Sequence, residues 1–142
     1  MSLEKVSSFA PLPIRVIAGI AFIMHGLPKL SNVHGTQGFF GSQGLPPELA
    51  LPVSLLELIG GIALILGILT RIASILFIIE MMSTTFILKF SHGFSGPGGF
   101  ELDVIMLSIT ISLLLSGPGR ISIERDLLKR EIFPKSNYRN LR

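Results

Sequence analysis

The chain contains no cysteine. Disulfides, dithiol redox chemistry, thiolate metal sites and haem held through thioethers are therefore excluded, while the compartment is left open. Charge is scarce as well: Asp, Glu, Lys and Arg make up 15% of the residues, against about 25% in an ordinary soluble protein. There is no activated-serine motif and no phosphate-cradling loop, so soluble nucleophilic catalysis has no support. Neither H-x-x-E-H nor E-x-x-H spacing occurs. A metal held by His25, Glu57, Glu80 and a loop histidine suits imidazole and carboxylate chemistry, but without that spacing no metal site is assigned.

What the chain does have is apolar residues in long blocks. They form 49% of 142 residues, and the mean hydropathy is +0.67. So little polar surface cannot cover a soluble globule, and the pattern predicts an integral membrane protein. The stretch Leu49 to Leu69, LALPVSLLELIGGIALILGIL, has the length of a span, about 20 residues at 1.5 Å each. It carries one ionisable residue, Glu57, which must face other helices or a wet cavity rather than lipid. Gly60, Gly61, Ala63 and Gly67 follow. Ala63 and Gly67 have the small-xxx-small spacing of close helix packing.

An all-α, four-helix transmembrane bundle follows from the remaining blocks. Spans are expected at about 14–30, 49–69, 72–88 and 102–115, with a basic tail over 120–142. Pro11 and Pro13 set up the first helix. It runs on through His25 and Lys29 rather than into a cleavage site, and so reads as a retained helix. Residues 32–47, NVHGTQGFFGSQGLPP, read as a glycine-rich loop, with Phe39 and Phe40 dipping into the interface or capping the bundle. The turn at Thr70-Arg71 is short enough to force an antiparallel hairpin. A second glycine-rich loop, SHGFSGPGGF, leads to the last span, with Glu101 and Asp103 near the interface and Gly117-Pro118-Gly119 as its stop. Beyond it, Ser122 caps a short amphipathic piece bearing Ile123, Leu127, Leu128 and Ile132, ended by Pro134 and suited to an anionic leaflet.

Lysine and arginine set the orientation. Lys5, Arg15, Arg71 and the seven in the tail share one side, and only Lys29 and Lys89 lie on the other. The positive-inside rule puts both termini in the cytoplasm and His34 and His92 outside. This crowding at one end explains the charge of +3 and pI near 9.7 without a nucleic-acid partner. The partners expected are the bilayer and other subunits of a membrane complex, with a homo-oligomer consistent with the glycines.

Depth along each span brings His25, Lys29, Glu57 and Glu80 toward the outer half of one bundle. Two readings of the carboxylates stand side by side: a functional pair, or polar glue between helices. Lys29 and Lys89 read first as interfacial residues. Arg15 reads as snorkelling or as tying the first helix to the carbonyls of Gly117-Pro118-Gly119. Met81 and Met82 read as packing. Among cofactors, a quinone suits the residues best, because its headgroup needs donors, a proton-exchanging carboxylate or histidine, and an apolar slot. No cofactor motif is present.

Taken together, Arg15 with AGIAFIMHGLPKL, the loop GFFGSQGLPP, the block ELIGGIALILGILTR and the terminal GPGRISIE resemble the DoxX family of small four-span membrane proteins. The likeness runs from about residue 14 to 124. One departure is Ser122-Ile123-Glu124, where the family pattern has S-x-D; the charge is kept. The resemblance implies that Arg15, His25, Gly26, Lys29, Glu57, Gly60, Gly61, Gly67, Arg71, Gly117, Pro118, Gly119 and Arg120 are family positions. Relatives include a subunit of a thiosulfate:quinone oxidoreductase, and others are associated with membrane redox or oxidative-stress complexes. The expectation is a quinone-facing membrane subunit with His25, Glu57 and Glu80 as reacting groups and Lys29 and His92 at the substrate. Its rivals are a non-catalytic accessory subunit and a small-molecule or ion carrier, the latter needing oligomerisation.

Overall fold

A computed structural model describes residues 6–132 and the backbone of 136–137. The architecture is helical. α1 is Pro11–Ser31, α2 Val33–Ser42, α3 Pro47–Leu66, α4 Thr70–His92, α5 Glu101–Ser116 and α6 the single turn Ile123–Leu127. The departure from helix is a two-residue antiparallel pairing of Arg130–Glu131 with Ser136–Asn137. Pro134, expected to end the tail piece, lies outside the described residues.

Among the described residues, α1, α3 and α4 are long and apolar enough to cross a membrane. Their outward faces carry large apolar side chains such as Ile17, Ile59 and Ile79, each more than half exposed, as lipid-facing surfaces do. α1 packs along α3, and α4 along α5. Phe22, Phe77, Leu64, Ala18, Ala73 and Leu113 form a buried core between these two pairs. Glycine permits the α1–α3 crossing: a Cβ on Gly19 would lie 2.5 Å from the Gly61 carbonyl oxygen, and one on Gly61 2.7 Å from the Gly19 oxygen. Gly60 makes room for the Phe77 ring, 2.7 Å from the Cβ it lacks.

Three expectations change. Residues 32–47 are not one loop, because Val33–Ser42 is helical. Asn32 caps that helix by accepting a hydrogen bond from Gly35 N at 2.9 Å, which leaves no space for a side chain on Gly35. Phe40 is buried beneath α2 while Phe39 stays exposed. Next, α3 ends at Leu66 rather than Leu69, because Gly67 takes the left-handed conformation (φ 65°) and closes the helix. Gly67 is thus a C-cap and a close contact, the Cβ it lacks lying 2.5 Å from Ser122 Cβ and 2.7 Å from Arg15 Nη1. Finally, α4 runs on to His92, past the expected end at 88.

α3 and α4 each contain a wide turn, Leu56–Gly60 and Thr84–Lys89, in which hydrogen bonds skip one residue further than in an α-helix. Such π turns are rare and concentrate at functional sites. One holds Glu57, and the other begins four residues after Glu80.

At the terminal end, Arg15 is buried and ties three segments together, α1, the end of α3 and the stretch after α5. It donates to the Pro118 carbonyl, to Ile121 O at 2.6 Å and to Ile65 O at 3.5 Å. Of the two roles read for Arg15, the carbonyl tie is the one found. Arg71 likewise donates to Leu114 O at 2.5 Å, linking the start of α4 to the end of α5. Ser122 caps α6 through Arg125 N at 3.2 Å, and Asp126 accepts from Ser122 N at 3.0 Å, a reciprocal capping arrangement.

Candidate functional site: acidic side chains from three helices

At the opposite end, where the loops lie, the polar residues of separate helices meet. Gly26 brings α1 against α3 at the level of Glu57, so that a Cβ on Gly26 would sit 2.9 Å from Glu57 Cβ and 3.0 Å from Ser54 O. One turn on, Lys29 Nζ donates to Glu57 Oε1 at 2.8 Å. Glu57 is 2% exposed. Glu80, from α4, places its carboxyl within hydrogen-bonding reach of Glu57. Beside them Lys89 Nζ donates to Asp103 Oδ1 at 2.7 Å, joining α4 to α5, and Asp103 is 3% exposed.

The pairing is incomplete. Oε2 of Glu57, Oε2 of Glu80 and Oδ2 of Asp103 are buried and receive no hydrogen bond from the described residues. Thr85 Oγ1, on the wide turn of α4, is buried without a partner too. Each buried acceptor without a donor costs free energy of about 1–3 kcal/mol, so a donor placed among these oxygens would be stabilising.

Of the residues singled out from sequence, Lys29, Glu57 and Glu80 come together and the histidines do not. His25 is exposed, and its Nδ1 is paired with the carbonyl of Ala21 on its own helix at 2.8 Å. His92 is exposed in the second loop, its ring against Gly98 and its Nδ1 3.5 Å from Ser91 Oγ. His34 pairs with Gln37 at 3.2 Å on the exposed face of α2. The expected convergence therefore holds for the acids and Lys29 and fails for imidazole. Asp103 and Lys89, expected near the interface, pair with each other there, Asp103 buried and the Lys89 side chain 30% exposed; their sequence separation of fourteen across a loop carries no signal of the pairing.

One turn toward the terminal end, the site has a floor. The rings of Phe22 and Phe77 stack with centroids 3.5 Å apart and planes 6° from parallel. Both are buried, with Gly60 pressed against Phe77. Around the loop end, Phe90 stacks on Phe100 at 5.9 Å, with Phe94 edge-on to Phe100 at 5.5 Å. A separate apolar groove of about 410 Å³ opens between α1 and α5, lined by Pro13, Ile14, Ile17, Ser108, Ile109 and Ser112.

Comparison with known proteins gives a consistent picture. The family model described as DoxX matches residues 10–90. The chain is 35% identical over 127 residues to the Bacillus subtilis (strain 168) protein named "Putative oxidoreductase CatD", covering 89% of this chain and 93% of that one. It is 32% identical over 133 residues to the inner membrane protein YqjF of Escherichia coli (strain K12), covering 90% and 99%. An uncharacterized membrane protein of Mycobacterium tuberculosis, Rv3486, is 33% identical over 131 residues, covering 82% and 80%. No solved structure matches.

Proposed function

The chain belongs to the DoxX family, and from that premise we propose that it is a quinone-facing, multi-pass cell-membrane subunit of a larger redox complex. The observation that carries the reading is the meeting of Lys29, Glu57 and Glu80 from three helices, with buried acceptor oxygens left open. A quinol hydroxyl is the kind of donor those oxygens lack, and the apolar helix faces around them suit an isoprenoid tail. Electrons come from the partner subunit and pass to quinone. This chain holds the headgroup by hydrogen bonds and exchanges protons through its carboxyl groups. A relative whose name includes oxidoreductase supports the redox part.

Four spans form the bundle in this reading. α5 has 16 residues, a rise of about 24 Å, and it lies along α4, so the two share one depth. Both termini are cytoplasmic by the positive-inside rule, which turns the acidic cluster toward the outer leaflet. The basic tail, with Leu127 and Leu128 exposed on it, lies against the anionic inner leaflet.

One observation favours a second reading, a non-catalytic accessory subunit. The groove between α1 and α5 lies away from Glu57 and is apolar, as a seat for a neighbouring helix would be.

Glu57→Gln in purified, quinone-supplemented membranes separates the two. Loss of about 10²-fold in quinone reduction, with the complex still assembled, supports the first. Full activity removes Glu57 from the mechanism and leaves the accessory role. Purification in mild detergent, with copurifying subunits and quinone identified by mass spectrometry, tests the complex itself.

A further inference from the structure

Five ionisable side chains are gathered at the loop end of the helices: Lys29 on α1, Glu57 on α3, Glu80 and Lys89 on α4, and Asp103 on α5. Each lysine has one carboxylate at salt-bridge distance, Glu57 at 2.8 Å and Asp103 at 2.7 Å. That leaves Glu80 as an acid without a cation of its own, facing another acid. Two carboxylates are acceptors only and cannot hydrogen-bond each other. Glu57 Oε2 and Glu80 Oε2 are both buried and without a donor among the described residues. A single proton supplies the missing donor and brings the group of five to neutrality, a condition that hydrocarbon surroundings favour strongly.

We infer that Glu57 and Glu80 hold one proton between them as a carboxylic acid–carboxylate pair, and that this proton exchanges with the loop side only. The inference concerns the same site as the quinone reading and rests on its placement in the membrane, not on quinone itself. The one-sidedness comes from what flanks the pair. Toward the loops, Lys29 and Lys89 have side chains 30% exposed and connect the buried acids to the surface. Toward the termini, the stacked Phe22 and Phe77 fill the space, followed by buried Ala18, Leu64 and Leu113. Proton binding is the reaction Glu80-COO⁻ + H⁺ → Glu80-COOH, with the hydrogen bond donated to Glu57, and release is its reverse. No oxidant or reductant is consumed.

The test is infrared spectroscopy of the full chain in liposomes without quinone. Wild type at neutral pH is expected to show a protonated-carboxyl C=O band that shifts when glutamate, and not aspartate, carries ¹³C. The band is expected to vanish in Glu80→Gln and in Glu57→Gln, since the one remaining glutamate then pairs with Lys29, and to persist in Asp103→Asn. Absence of the band in wild type, or its survival in both glutamine variants, overturns the inference. The isotope experiment needs no variant, so a misfolded mutant cannot shield the claim. In sealed vesicles of one orientation, an alkaline step on the loop side is expected to remove the band, whereas the same step on the tail side leaves it. A band that follows the tail side overturns the one-sidedness. Because quinone is absent, a positive result stands even if quinone reduction fails, and a negative one leaves quinone binding to be judged on its own assay.

Discussion

Gly26 and Glu57 touch at the level of the backbone: a methyl group on residue 26 would lie 2.9 Å from Glu57 Cβ. This contact sets how far Lys29, one turn further along α1, can reach across to the acid. Gly26→Ala is therefore expected to push α1 away from α3, weaken the ion pair, and destabilise the fold by about 1–3 kcal/mol. Thermal melting in detergent measures the loss. A melting temperature equal to wild type contradicts the close approach.

Removing Lys29 alone strands a buried charge. Lys29→Met is expected to cost about 3–5 kcal/mol, because Glu57 then lacks its counter-ion. Lys29→Met with Glu57→Gln is expected to recover a large part of that loss. The double-mutant cycle reads the coupling directly, and additive losses indicate that the two residues do not interact.

At the terminal end, Arg15 is held by three carbonyls from two segments, Ile65 at the end of α3 and Pro118 and Ile121 after α5. Lysine keeps the charge but not the planar fork. Arg15→Lys is expected to cost about 1.5–3 kcal/mol and to release the segment after α5, read as faster amide exchange at Arg120, whose N–H bonds Ser8 O at 2.9 Å.

Two glycines make a paired test of backbone strain. Gly67 has φ 65° and lies against Arg15 and Ser122, whose Cβ is 2.5 Å from the Cβ that Gly67 lacks. Gly67→Ala is expected to destabilise by at least about 1–2 kcal/mol from the left-handed conformation alone. Gly38, in α2, has open space around it, and Gly38→Ala is expected to be neutral or stabilising by up to about 1 kcal/mol.

His25 stands outside the cluster. His25→Ala is expected to change stability by less than about 0.5 kcal/mol and to leave the Lys29–Glu57 pair in place. A large loss of quinone reduction in this variant would return imidazole to the site.

The features legible in the sequence are those fixed by long-range composition. Apolar blocks locate α1, α3 and α4, Gly117-Pro118-Gly119 stops α5, and the cost of burying Arg15 demands the carbonyls it finds. The same reasoning places Glu57 and Glu80 together, since each needs a polar partner. It fails where one residue of rotation decides. His25 and Lys29 are four apart and share a face by count, but the long lysine chain reaches inward while the short histidine folds back on Ala21. Lys89 falls beyond an α4 expected to end at 88, and the wide turn at Thr84–Lys89 that carries the helix on to it leaves no trace in hydropathy; its pairing with Asp103 across the loop has no sequence signal either. α2 was hidden by its glycines, although Asn32 and Gly35 already spell its cap.

The central claim is that lysine and carboxyl groups of separate helices meet inside the membrane. Magic-angle-spinning NMR of the protein in bilayers, with ¹⁵N in lysine and ¹³C in the carboxyl groups, measures those contacts through dipolar coupling. The expected result is two short lysine-to-carboxyl distances, matching the 2.8 and 2.7 Å pairs, one lost in Lys29→Met and the other in Lys89→Met. Coupling that is absent in wild type, or unchanged by Lys29→Met, would contradict it.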